Sequence, residues 1–475
     1  MIQDKTHAVV IGGSLAGLLM GRVLANHFDR VTIVERDVYA DQPVPRKGVP
    51  HSRFPHTLML RGQRILEQLF PGLKADLVAR GAIELDSMQD IAFHTSAGWA
   101  ARSSSDLMLL AFSRDLLDWY IRRRLVAFPN VQFLTEVSVA GLLTDVERPK
   151  ITGISVHRHK DSNADGCENL YADLIVDASG KASQTPHWLQ VLGYEPPLET
   201  KVNAFVGYVA RIYQPPQDLA VDWKMVFMPS APPQQHRGGA IFPIEGDPST
   251  PHQTRWIISL VGGDRDYPPT DEEGFLAFAR SLPSPILADA IQYATPLTPI
   301  YAYYGNENRL RHYDQLSHSP AHLIVVGHAA CLLNPTYGQA MTVAALEAVI
   351  VDHFFQRHSI DALNKRTHSL QKQLAKAHQE AWSIATNLDY RYKSAQARPI
   401  NTIEQLVNWY WDQLMELGLD RAKIHHTFLE VLHLLKPSIA LFQPSILSQV
   451  LSQSLDKRWK RIALEQKSTT SIVDR

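Results

Sequence analysis

Short apolar runs and longer stripes of helical period alternate from the start of the chain. Ala8–Ile11 is a continuous apolar run of the kind a strand buried on both faces requires. Gly12, Gly13, Ser14 and Gly17 follow, and a helical pattern continues to about Asn26. A second apolar run, Val31–Val34, ends in the acid Glu35. This order of strand, tight turn, helix, strand and acid predicts a parallel βαβ unit. The pattern then predicts a helix over Thr57–Leu69, stopped by Pro71 and Gly72, and another over Arg114–Phe128 with Ser113 as N-cap. Strands are expected at Val131–Leu134, Ile151–His157 and Leu174–Asp177.

From about Pro196 to Asn308 the texture changes. Proline and aromatic residues accumulate around β-type runs such as Ala204–Tyr213 and Arg255–Val261, which predicts a separate sheet. Leu323–Val326 returns to a buried parallel-type strand, followed by a turn and a helix from about Gly338 to His353. Beyond it Leu363, Leu370, Leu374, Ala377, Ala381, Ile384 and Leu388 fall on one helical stripe. Further helices fit Thr402–Leu417, Arg421–Leu435 and Ser445–Leu455, so the last third reads as a helical cap on the core. The expected fold class is α/β. A Rossmann-like domain spans 1–195 and returns at 308–360, a β-sheet substrate domain fills 196–307, and a helical region covers 361–475.

Composition narrows the function. The chain has 475 residues, 45% hydrophobic and 20% charged, with a formal net charge of −1. That is an ordinary globular balance with no basic footprint for nucleic acid. Two cysteines, Cys167 and Cys331, make no disulfide framework, so a reducing, cytoplasmic setting is expected. The first strand begins within the first ten residues, leaving no room for a targeting leader. No apolar run reaches the length of a membrane span. The basic cluster Lys457, Arg458, Trp459, Lys460 and Arg461 reads as a solvated helix end, with membrane contact at most peripheral. His51 and His56 have no acid or cysteine at metal-ligand spacing, and no GxSxG elbow is present, so neither a metal nor a serine nucleophile is expected.

The GGSLAG turn carries the clearest chemistry. Gly12 permits the tight turn, small Ser14 lets backbone approach a pyrophosphate, and Gly17 lets helix and strand pack closely. Free N–H groups at the helix start attract phosphate. Glu35, 18 residues past Gly17, stands where a carboxylate accepts hydrogen bonds from a ribose.

Three more segments, PRKGVPHSRFPHTLMLRG (45–62), DLIVDASG (173–180) and GHAACLLNPTYGQAMTVAALEA (327–348), stand in that order along the chain. With GGSLAG they resemble the flavin-dependent monooxygenases of the para-hydroxybenzoate hydroxylase fold, above all the flavin epoxidase branch of natural-product pathways. The similarity runs from about Ala8 to Asp389. It implies an FAD site in which Gly12, Ser14, Leu15, Ala16 and Gly17 hold the pyrophosphate and Glu35 and Arg36 flank the adenosine ribose. Arg46, Gly48, Arg114 and Val137 would lie along the cofactor, with forked guanidinium bonds suited to its phosphates. Asp177 and Gly180 occupy the second cofactor motif, and His328 the position that meets the ribityl chain. Pro335, Gly338, Gln339, Ala340 and Met341 match the loop and helix start facing the flavin ring, with Pro335 and Tyr337 as flavin-facing catalytic candidates.

The resemblance further implies that reduced flavin takes up O2 as a hydroperoxide and passes one oxygen to an apolar or aromatic small molecule, by epoxidation or hydroxylation. NAD(P)H is the implied electron donor, with a separate flavin reductase as the other source. Two positions depart from the family pattern. His328 replaces an aspartate, so a neutral imidazole must make the sugar contact. Ala340 replaces a glycine, which would be strained if that backbone needed positive φ. Two other readings stay open: a flavin-dependent reductase of isoprenoid double bonds, and a flavoprotein-derived binding protein without catalysis.

Overall fold

The computed structural model describes residues 5–145, 150–158 and 167–457. Arg458–Arg461 of the basic cluster lie outside them.

The predicted βαβ unit forms around a five-stranded parallel sheet. Its order is Leu323–Val325, Leu174–Asp177, His7–Ile11, Arg30–Glu35, Val131–Thr135, with the first strand in the middle. Every pair is parallel, and Val10 sits opposite both Ile33 and Val176. Parallel pairing brings Ile11, Glu35, Asp177 and Val325 to one edge, so the loops that follow share a crest where such sheets bind ligands. Both faces of the sheet are covered. Helices Leu15–Leu24, Arg114–Val126 and Ala340–Arg357 bury Val10, Ile33, Val176 and Ile324 on one side. The antiparallel strands Val137–Thr144 and Ile151–Arg158 bury Val9, Ile11, Val34 and Ile175 on the other.

A large, mainly antiparallel sheet forms the second layer. The predicted strands lengthen to Glu199–Gln214 and Arg255–Gly262, joined by Arg237–Ile244 and Tyr301–Arg311. Short strands extend it to nine: Ile91–Thr95 pairs in parallel with Met225–Met228 and carries Gly98–Trp99 on its outer side, Cys331–Leu332 pairs with Tyr301–Arg311, and Thr295–Pro296 pairs with the end of Glu199–Gln214. Alternation of period two splits the side chains between faces. Val209, Ile241 and Ile258 pack under helices Glu272–Arg280 and Ile286–Tyr293, while Tyr208, Ala210 and Ile257 face Phe54 and Tyr392.

Several boundaries move for identifiable reasons. The segment predicted as one helix over Thr57–Leu69 is helical only over Leu60–Leu69. The chain before it stays extended because the Met59 N–H donates to Thr342 Oγ1 at 3.1 Å, a tertiary contact invisible to local pattern. Gly338 has φ of +67°, so the following helix starts at Ala340 and runs on to Arg357. Ala340 is therefore helical and escapes the strain that a left-handed backbone would impose.

The 27-residue helix Leu363–Asp389 is more than a cap. It lies along the edge strand of the parallel sheet. Gln371 accepts from Val325 N–H and donates to Val325 C=O, both at 3.0 Å, as a neighbouring strand would. Thr367 Oγ1 accepts the His322 N–H at 3.1 Å. An open strand edge is thus closed by side chains of a helix. Gln371→Ala leaves a buried donor and acceptor unpaired, each orphan costing about 1–3 kcal/mol. Urea unfolding should show that loss with an unchanged m-value; wild-type stability would mean water replaces the amide.

The remaining helices, Thr402–Leu417, Ala422–Leu432 and 444–457, cover Phe93, Met225 and Phe242 of the large sheet. No helix among the described residues is long and apolar enough to cross a membrane.

Candidate functional site

The glycine turn is held by contacts that admit no side chain. Gly12 has φ of +101°, and a Cβ on it would fall 2.6 Å from Ala178 O. A Cβ on Gly17 would fall 1.8 Å from Gly12 O, so the helix start presses directly on the turn. Ser14 caps that helix from an extended backbone, and its side chain makes no capping bond. Instead its hydroxyl donates to Asp118 Oδ2 at 3.1 Å and accepts from Arg114 Nη2 at 2.9 Å. Arg114 in turn donates through Nε to Asp118 Oδ1 at 2.7 Å, one helical turn away. Ser113 caps this second helix as predicted, accepting from the Leu116 N–H.

Glu35 lies beside the turn. Its Oε2 accepts from Gly13 N–H at 2.9 Å and Arg46 Nη1 at 3.2 Å, and its Oε1 from Asp37 N–H at 3.0 Å. A carboxylate has about four acceptor positions, so a ribose hydroxyl still finds one. Gly48 N–H donates to Asp37 Oδ2 at 2.7 Å, folding the Arg46 loop back against the sheet. Tyr39 donates to Gly13 O at 2.7 Å, with its ring between the guanidinium groups of Arg46 and Arg122.

Asp177 is sealed and fully used. It accepts from Ser179 N–H, Ser179 Oγ, Ser183 Oγ and Thr185 Oγ1 at 2.5–2.9 Å. What it gives the site is the shape of the Ala178–Gly180 turn. Gly180 has φ of +81° and open space where a Cβ would stand. Gly327 is pinned by Glu347, whose two oxygens accept its N–H at 3.0 and 2.9 Å. A Cβ on Gly327 would stand 3.0 Å from the Ala16 side chain, which places the His328 turn beside the first helix start.

His51, His56 and His328 lie deep in the protein yet keep part of their surface open. Burial first, then the charge of Arg114, pushes His56 and His328 down to about 4. Burial followed by His56 and Arg114 holds His51 well below its usual range. All three are neutral at physiological pH, each able to donate one hydrogen bond and accept another. His328 Nε2 has no partner, nor has Gln339 Oε1, whose amide nitrogen donates to Leu432 O at 3.1 Å. Buried polar atoms without partners are rare, and each calls for an explanation such as a ligand or a bound water.

The structure therefore brings Gly12, Ser14, Ala16, Gly17, Glu35, Arg46, Arg114, Gly180 and His328 to one crest, while Gln339 lies against Leu432 of the C-terminal helices. Leu15, Val137 and Met341 are buried beneath the crest as packing, and Arg36 is exposed. Pro335 is exposed on the loop that leads to Gly338. The aromatic residues of the large sheet are divided between its faces. Tyr208 packs on Phe54 at 4.7 Å, Trp256 stacks near Trp223 on the helix-covered face, and Phe227 and Phe242 meet the C-terminal helices. Asp118 was not singled out in the sequence, although its spacing of four from Arg114 was readable.

No protein-family model matches the chain. It is 30% identical over 406 residues to protein Rv3254 of Mycobacterium tuberculosis, covering 83% of this chain and 82% of that one. The chain belongs to the family of Rv3254. Among solved structures it is similar to the flavin-dependent brominase Bmp2, with a TM-score of 0.63 and 14% identity over 95% of this chain and 100% of that one. The FAD-dependent monooxygenase PqsL of Pseudomonas aeruginosa gives 0.55 and 16%, covering 89% of this chain and all of that one. The p-nitrophenol 4-monooxygenase PnpA of Pseudomonas putida gives 0.59 and 16%, covering 90% of this chain and 98% of that one. The chain thus has the fold shared by flavin-dependent monooxygenases and halogenases; the sequence resemblance had implied the monooxygenases alone.

Proposed function

We propose that the chain is an FAD-dependent monooxygenase acting on an apolar or aromatic small molecule, with NAD(P)H or a separate flavin reductase supplying electrons. The observation that carries this reading is the convergence of four separated segments at the carboxyl ends of the parallel strands. They supply a side-chain-free turn, two guanidinium groups, and the unpartnered His328 Nε2. Flavin, when bound, supplies the oxygen activation, which protein side chains cannot.

The chain's own residues have defined tasks. The N–H groups at Ser14 and the helix start face phosphate, and Arg114 and Arg46 offset its charge. Glu35 takes a ribose hydroxyl. His328 Nε2 and Gln339 Oε1 are matched to sugar or ring polar groups. The start of helix Ala340–Arg357 directs its positive end toward the ligand. Tyr208, Tyr303 and Phe54, within about 6 Å of one another, make an apolar wall that excludes water.

Purified protein titrated with FAD should quench flavin fluorescence with a saturable midpoint, and reduced flavin should then consume O2 as product forms. Failure to bind FAD at any concentration would sink the proposal. Product formed without O2 would move the reading to a reductase, and halide appearing in product to a halogenase. His328→Asp restores the acid of the resembled family beside Arg114 and Lys181. It should tighten FAD binding roughly tenfold, the worth of one charge-assisted bond over a neutral one. An unchanged Kd would show that imidazole already does that work.

A further inference from the structure

Behind the loop that carries Pro335 and Tyr337 lies a sealed carboxyl group that the function above does not use. Asp389, at the end of the long helix, is 0% exposed. Its Oδ2 accepts from Asn308 Nδ2 at 2.6 Å, and both oxygens lie 3.2 Å from Asn334 Nδ2. Oδ1 meets the Tyr337 hydroxyl at 2.5 Å. Among the described residues no cation pairs with it.

The orientation of both amides is fixed independently. Asn308 Oδ1 accepts the Asn334 N–H at 2.7 Å, and Asn334 Oδ1 accepts the Thr336 N–H at 3.2 Å. Their NH2 groups must therefore face Asp389. Tyr337 is left as the one partner able to accept as well as donate. If Asp389 is ionised, the Tyr337 hydrogen points at Oδ1 and its lone pairs are free. If Asp389 carries a proton, that proton points at Tyr337 Oη and the tyrosine hydrogen turns away. Tyr337 lies deep in the protein with part of its surface open.

We propose that Asp389 is a positioning residue that sets whether the Tyr337 hydroxyl meets a ligand as donor or as acceptor. The ligand's identity rests on the cofactor reading above; the switch does not. The exchange is balanced: one proton joins or leaves Oδ1, one O–H bond rotates, and nothing else breaks. Burial raises the Asp389 carboxyl to about 6 against the pull of its three donors, so both states are populated near neutrality. The neighbouring charges are otherwise engaged. Arg391 is held by Asp412 at 2.7 Å, the Tyr392 hydroxyl pairs with Ser230 Oγ at 2.6 Å, and Asp264 accepts the Ser394 N–H at 2.8 Å.

The test is the tyrosine Fermi doublet in ultraviolet Raman spectra, taken as wild type minus Tyr337→Phe, since its intensity ratio reports donor against acceptor. The Tyr337 doublet should change between about pH 5 and about pH 7. Asp389→Asn presents an NH2 whose one available acceptor is Tyr337 Oη, so it should lock the doublet at its low-pH value. A wild-type doublet constant with pH, or one that titrates unchanged in Asp389→Asn, overturns the proposal. The wild-type titration does not depend on that variant folding. Absence of FAD binding at every pH would refute the cofactor reading and leave this result to decide the role of Asp389.

Discussion

Acid should strip this protein of several kcal/mol of stability between about pH 6.5 and about pH 4. The cause is a set of histidines buried neutral. Burial pushes His425 and His433 down to about 4, and each is only 4% exposed. Burial also brings His56 and His328 to about 4, with a smaller consequence because each residue keeps part of its surface open. The sign follows from the folded values lying below the unfolded one. The unfolded chain takes protons first as pH falls below about 6.5, so the stabilisation is full above that value and is lost toward 4. For a fully buried imidazole the difference is on the order of 3 kcal/mol. Asp115 and Asp389 work in the other direction. Burial raises both to about 6, so the folded state takes their protons first and gains as pH falls through that value. The histidines outnumber them, and the net slope is downward. Set against a typical total of about 5–15 kcal/mol, that loss is a large share of the margin and lowers the unfolding midpoint. Thermal unfolding across a pH series should show a falling midpoint. The His425→Phe variant keeps ring volume beside Phe93 and Phe428 and should flatten the slope. A midpoint that holds constant down to about pH 4.5 would contradict the argument.

His425 and His433 also show what a sequence leaves unsaid. Their helix was legible from apolar spacing as Arg421–Leu435, and it forms over Ala422–Leu432 with His433 at its C-cap. That their imidazoles are sealed follows from the sheet they cover, which lies hundreds of residues earlier. The same division holds at the site. The glycine turn, Glu35 and the Ser113 cap are local signals, because a turn or cap has its physics within a few residues. The role of Asp177 is also local, yet it reads differently in three dimensions, where Ser183 and Thr185 use up its oxygens. Asp389, Asn308 and Asn334 carried no signal at all. They meet through three segments of unrelated period, and a polar residue at a helix end looks solvated until its neighbours are known. Gln371 fails for a similar reason: it sits on a stripe that otherwise predicts plain hydrophobic contact, and only the strand edge it closes explains an amide there.

Arg114→Ala should cost about 3–5 kcal/mol and at the same time weaken FAD binding about a hundredfold. The two losses have different origins. Asp118 is buried, and among the described residues Arg114 is its only cationic partner at hydrogen-bond distance; Arg46 stands 3.8 Å away and is already bonded to Glu35. Removing the guanidinium leaves a buried carboxylate with the Ser14 hydroxyl alone, and an uncompensated buried charge is the expensive outcome. The affinity loss comes from the phosphate side, where a forked guanidinium makes charge-assisted bonds that alanine cannot replace. A double variant separates them. Arg114→Met with Asp118→Leu replaces the pair by apolar groups of similar size, so most of the stability should return while FAD affinity stays low. Lysine at position 114 should recover part of the charge and little of the geometry, since an ammonium cannot bridge Ser14 and Asp118 along the same fork. If the double variant regained wild-type FAD affinity, Arg114 would be a brace for the second helix and nothing more.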